Sequence, residues 1–137
     1  MIINRAWAMP NRHTFLIPPI KELIYRYGGD FKGWIDPFAG DNSPAEITND
    51  LNSDKPTKYH LPATDFALML TGPTWYNGVL FDPPYSLRQL KECYENVGIK
   101  MLQDDSQRFP QNVKELIAVP IKQGGLAITF GWNSQGF

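Results

Sequence analysis

The chain has 137 residues, of which 42% are hydrophobic, 13% aromatic and 20% charged. This mixture excludes intrinsic disorder and is enough for one globular domain, because a domain of this length hides roughly two-thirds of its unfolded surface. Thirteen Lys and Arg against 14 Asp and Glu leave a net charge of −1, unlike the clearly basic proteins that bind nucleic acid unaided.

Met1-Ile2-Ile3-Asn4-Arg5 has no basic region followed by an apolar stretch, so it is not read as a secretory signal. Residues 1–18 are irregular. Ile20, Leu23, Ile24 and Tyr27 then recur at the spacing of one helical face, started by Pro18-Pro19 and stopped by Gly28-Gly29. Trp34-Ile35 reads as a short strand ended by Asp36-Pro37, and Ile47 to Leu51 as a second. Residues 52–62 are polar and hold two prolines, a loop. Phe66, Met69 and Leu70 suggest a short helix closed by Gly72-Pro73.

Asn77-Gly78 is a turn signal, and Val79-Leu80-Phe81 forms an apolar strand ended by Asp82. Ser86 can cap a helix whose face holds Leu87, Leu90 and Tyr94, ending near Gly98. Val113, Leu116 and Ile117 mark another helix, stopped by Pro120. Gly124-Gly125 reads as a turn into the strand Leu126–Phe130. No apolar run is long enough to cross a bilayer. Short apolar strands alternating with helices imply an α/β class, with a mainly parallel sheet covered on both faces.

Cys93 is the single cysteine; it suits a reducing, cytoplasmic setting and reads as a small packing residue. His13, His60 and Cys93 are scattered without metal-ligand spacing, so no metal is expected. No serine nucleophile elbow or phosphate-binding lysine loop is present.

The most informative residues are Asp82-Pro83-Pro84-Tyr85, directly after an apolar strand. Ligands of open α/β sheets sit beyond the carboxyl ends of strands. The prolines fix φ and donate no hydrogen bond, which leaves carbonyls to face a ligand. Asp82 adds an acceptor and Tyr85 a ring, a rigid pocket for a planar group bearing an amine. Asp36-Pro37-Phe38-Ala39-Gly40 is a second strand-end corner, where Gly40 lets the backbone approach a ligand closely.

In this order the two corners resemble those of S-adenosylmethionine-dependent amino-group methyltransferases, and the aspartate at position 82 resembles the adenine-N6 DNA enzymes of restriction-modification or phage type. The resemblance implies a Rossmann-like fold over residues 1–137, C-terminally truncated to about five strands in the order 3-2-1-4-5. Within it, 1–32 is a cofactor-flanking segment, 33–70 the cofactor-binding half and 71–137 the catalytic-loop half. It implies S-adenosylmethionine held by Asp36, Pro37, Phe38 and Gly40. Asp50 of Thr48–Asn52 takes the ribose hydroxyls, Asp65 and Phe66 the adenine, and Thr14 and Phe15 the methionine end. Asp50 lies closer to Gly40 than the roughly 20 residues of the general dinucleotide fold, so the intervening connection must be a stub. Gly125 to Trp132-Asn133-Ser134 resembles the fifth strand and its turn.

The implied reaction methylates the N6 amine of adenine in DNA. Asp82 and the Pro83 carbonyl accept the amine N–H groups, Pro84 stiffens the corner, and Tyr85 stacks on a flipped base. The same residues leave open a catalytically weak or inactive remnant that serves as a cofactor-binding or interaction subunit, and an RNA adenine, cytosine amine or glutamine amide as acceptor. The family's last two strands are expected to be absent. That would leave strand five an open edge for a second copy or another chain, and pI ≈ 6.1 gives little pull on phosphate.

Overall fold

A computed structural model describes residues 13–84, 86–100 and 103–130, with backbone only for Leu87 and 103–107. Tyr85, Trp132, Asn133 and Ser134 lie outside the described residues. Four strands form one parallel sheet: β1 (Trp34–Asp36), β2 (Ile47–Thr48), β3 (Tyr76–Phe81) and β4 (Ile121–Thr129), in the order β2-β1-β3-β4. The helices are α1 (Pro18–Gly28), α2 (Ala63–Leu70), α3 (Leu87–Asn96) and α4 (Gln103–Ala118), preceded by a 3₁₀ turn at Thr14–Leu16.

Alternate strand residues feed two cores. Ile35, Val79 and Phe81 pack with α2, α3 and α4, while Trp34 and Leu80 pack on the other face with Ile20 and Ile24 of α1. All three residues of β1 are buried, as a central parallel strand requires. The class expected from the sequence is therefore observed, and its architecture is compatible with a Rossmann-like fold. Among the described residues, no helix is long and apolar enough to cross a membrane.

The strand count differs from expectation: the described residues hold four, in the order β2-β1-β3-β4, not about five in the order 3-2-1-4-5. Beyond β2, Tyr59 makes a single parallel bridge to Asn49, its N–H donating to the Thr48 carbonyl at 3.0 Å and its carbonyl accepting from Asp50 N–H at 3.1 Å. Pro56 and Pro62 flank this segment and lack the N–H groups a longer ladder needs. β2 itself is shorter than the 47–51 expected: it pairs with β1 over Ile47–Thr48, and Asn49 adds one N–H to the Asp36 carbonyl at 2.9 Å before its own carbonyl turns to the Ala39 N–H. Tyr27 turns to solvent, and α1 buries Ile20 and Ile24.

The strand at the carboxyl end begins five residues before Leu126, and Gly124-Gly125 lies inside it as a bulge opposite the Tyr76–Gly78 stretch of β3. Gly124 has φ +77°, and a Cβ at Gly125 would come within 2.8 Å of the Lys122 carbonyl oxygen. Glycine is thus needed to bend a strand here, not to precede one. β4 is an edge strand, and much of it is exposed.

Candidate functional site

The chain leaves β1 for β2 on one side, then crosses back to β3 on the other. The order therefore reverses between β1 and β3, and open sheets bind ligands at such a point, beyond the strands' carboxyl ends. A cavity of about 650 Å³ lies there, within the roughly 300–1,000 Å³ of small-molecule sites. Its walls include the Asp36 corner, through Pro37, Phe38 and Gly40, and the acidic diproline corner, through Asp82, Pro83 and Pro84. Thr14, Phe15 and Asp50 line it as well.

Asp36 itself does not line the cavity. It is fully buried below it, where its Oδ1 accepts the Phe38 N–H at 2.9 Å and its Oδ2 accepts the Ser43 hydroxyl at 2.6 Å. Burial pushes its carboxyl up from 3.8 to about 7, against the pull of these two hydrogen bonds, and the like charges of Asp82 and Asp50 add to the rise. Asp36 is placed to shape the loop above it.

Two neighbours fasten that loop further. The Asp50 Oδ2 accepts the Gly40 N–H at 3.0 Å, while Oδ1 accepts the Asn52 N–H at 2.9 Å. Asn49 is fully buried; its Nδ2 donates to the Pro37 and Leu61 carbonyls at 3.2 and 2.9 Å, and its Oδ1 accepts the Leu61 N–H at 2.9 Å. One amide thus holds the three loops that follow β1, follow β2 and enter α2.

Asp65 and Phe66 do not reach the cavity. Asp65 is exposed on the first turn of α2, and Phe66 is fully buried with its ring 5.9 Å from that of Tyr59. Leu61 and Ala63, just before them, supply the wall. The Phe38 ring meets Phe81 and Phe109 edge-on at 5.6 and 6.1 Å, so it is braced from the core side.

Sequence reasoning missed the wall from α3, formed by Gln89, Cys93 and Asn96 beside Leu90 and Tyr94. Their spacing of four and three is one polar stripe adjoining the apolar face, and that was the available signal. Cys93 is exposed on this wall rather than packed inside. Partial burial, then Asp50 and Glu92, push its thiol up, so it stays protonated and weakly nucleophilic near neutrality.

Charge gives the site its character. Among the described residues every charged side chain lining the cavity is acidic: Asp41, Asp50, Asp54, Asp82 and Glu92. Asp41 is paired with Lys55 at 2.9 Å and Glu92 with Arg88 at 2.7 Å. An all-acidic lining favours a ligand with cationic, hydroxyl or amine groups and disfavours phosphate. The described residues hold no cluster of three side chains suited to a metal ion.

No protein-family model matches this chain, and neither the curated proteins nor the solved structures contain a match to it.

Proposed function

We propose that this protein binds S-adenosylmethionine and transfers its methyl group to an exocyclic amine, the N6 of adenine in DNA. The observation that carries this reading is that the Gly40 corner and the Asp82–Pro84 corner wall one cavity at the reversal point of the sheet.

The residues present fit such a donor better than a dinucleotide. A dinucleotide site presents a helix N-terminus to pyrophosphate, whereas the loop after β1 runs on to β2 with no helix between. A Cβ on Gly40 would meet nothing within 4 Å, so the glycine opens its corner to a bound group. Asp50 lines the wall with a carboxylate able to accept hydroxyl protons, and no basic side chain among the described residues waits there for phosphate.

The bound donor supplies an electrophilic methyl on a sulfonium. This chain's residues do the rest by position and charge. Asp82 and the Pro83 carbonyl accept from the two N–H groups of the acceptor amine. That favours a pyramidal nitrogen with its lone pair toward the methyl, and Asp82 or solvent takes the departing proton. Pro83 and Pro84 hold φ fixed, so the corner keeps its shape without being reordered on binding. Tyr85 supplies the ring on which a flipped base stacks, which offsets part of the unstacking energy.

A calorimetric titration with S-adenosylmethionine, followed by transfer of labelled methyl to mixed-sequence DNA and RNA, tests the proposal. Saturable binding with label on DNA adenine is expected. Label on RNA or on another amine would change the acceptor; absence of binding would overturn the reading. Binding without transfer to any nucleic acid would favour a cofactor-binding or interaction subunit, a role that the acidic lining of the cavity also suits. In that role the open edge of β4 offers a second copy, or another chain, a strand to pair with.

A further inference from the structure

Six consecutive residues, 37–42, line the cavity, and both ends of this run are tied to one side chain. At the first end the Asp36 carboxylate accepts the Phe38 N–H; at the other it accepts the Ser43 hydroxyl. Ser43 is outside the cavity lining and partly buried. At 2.6 Å the contact lies at the short end of the range for hydroxyl hydrogen bonds, and the Asp36 end of it is fully buried. Between the two ties the Ala39 N–H donates to the Asn49 carbonyl at 2.9 Å and the Gly40 N–H to Asp50, while the side chains of Asp41 and Asn42 meet Lys55 at 2.9 Å and His13 Nδ1 at 3.3 Å.

We propose that Ser43 is a positioning residue of the site: its hydroxyl, resting on Asp36, closes the 37–42 loop into the shape that receives the methyl donor. The inference builds on the donor proposed above, but the closing contact belongs to the free protein and can be read there. Without the hydroxyl the loop keeps its first tie and its anchors to β2, and it loses the one that fixes where it ends. The wall residues Asp41 and Asn42, nearest that end, then keep their side-chain contacts to Lys55 and His13 but lose the Ser43 tie beside them.

The test compares Ser43→Ala and Ser43→Thr with the natural chain by amide hydrogen exchange and by calorimetric titration with S-adenosylmethionine. In Ser43→Ala, exchange of the hydrogen-bonded Phe38, Ala39 and Gly40 amides is expected to rise about tenfold, with Val79 and Leu80 of β3 unchanged, the size of effect that losing one hydrogen bond gives. Donor affinity should fall by a similar factor, and Ser43→Thr, which keeps the hydroxyl, should restore both to within about threefold. Unchanged loop exchange, or a rise shared equally by β3, would overturn the inference, since the second outcome marks a general loss of stability. If the natural chain binds no donor, the proposed function fails and the exchange experiment still decides the role of Ser43.

Discussion

The Asp50 carboxylate accepts the Gly40 amide hydrogen at 3.0 Å and thereby locks the loop after β2 to the loop after β1. The side chain that the resemblance assigns to a ribose is also a structural clasp. Each of its oxygens takes one backbone N–H, from Gly40 and from Asn52, and each keeps further acceptor capacity on a residue that lines the cavity. Asp50→Asn keeps one acceptor and should hold the fold, while Asp50→Ala removes both. Donor affinity is expected to fall about tenfold in the first and further in the second. Calorimetry on the two variants checks this, and equal affinity in all three proteins would remove Asp50 from the site.

Asp82 separates chemistry from donor binding. Its carboxylate lines the cavity beside Pro83 and Pro84, where it is assigned to the acceptor amine and not to the donor. Asp82→Ala should reduce methyl transfer by at least about a thousandfold, as loss of a group acting mainly in the transition state does, and leave donor affinity within a few-fold. Near-full transfer by this variant would end the proposed mechanism. Tyr85→Ala should affect handling of the acceptor much more than donor binding.

The carboxyl-end corners were legible because their strands are buried on both faces: Trp34-Ile35 and Val79–Phe81 are continuous apolar runs, and each stops at an aspartate followed by proline. What the four aspartates at 36, 50, 65 and 82 do was not legible. The same residue type serves as a buried post, a clasp, an exposed helix-turn acid and a cavity wall, and only the third dimension separates them. The first residues of β4 were missed because Lys122-Gln123-Gly124-Gly125 is a polar bulge with no strand periodicity. Asn49 was missed for another reason. Its importance lies in three hydrogen bonds to two residues, Pro37 and Leu61, each twelve positions away, which no local pattern reveals.

That amide makes a sharp stability test. Asn49→Ala would leave the buried Pro37 carbonyl and the part-buried N–H and carbonyl of Leu61 without these partners. An unmade buried hydrogen bond costs about 1–3 kcal/mol. A loss of about 3–5 kcal/mol is therefore expected, allowing for partial hydration of the loops. Urea unfolding reads it directly, and a loss below about 1 kcal/mol would show that the three loops hold without this side chain.

Gly40 tests the close approach of a ligand. Its φ is +59°, so an alanine there bears the left-handed strain of about 1–2 kcal/mol, but its Cβ would touch nothing. Gly40→Ala should thus unfold only slightly more easily than the natural chain, yet bind the donor at least about tenfold more weakly if a bound group fills that space. Donor affinity unchanged in the presence of the expected strain would move the ligand away from this corner.

The pH dependence of stability follows from Asp36. Its carboxyl sits at about 7 in the folded protein against 3.8 for the ordinary group, so between these values the folded state holds a proton that the unfolded chain releases. Stability from this group is complete below pH 3.8, falls as pH rises toward 7 and is level above that. Asp36→Asn retains an acceptor for the Phe38 N–H and can donate to the Ser43 hydroxyl oxygen, as the protonated acid can, but it does not titrate. Urea midpoints measured at intervals from pH 5 to 8 should therefore decline less steeply in the variant than in the natural chain, and the variant should gain on the natural chain as the solution becomes more alkaline. Two parallel curves would mean that the buried carboxyl stays in one protonation state across the range, and that the loop over it is held the same way at every pH.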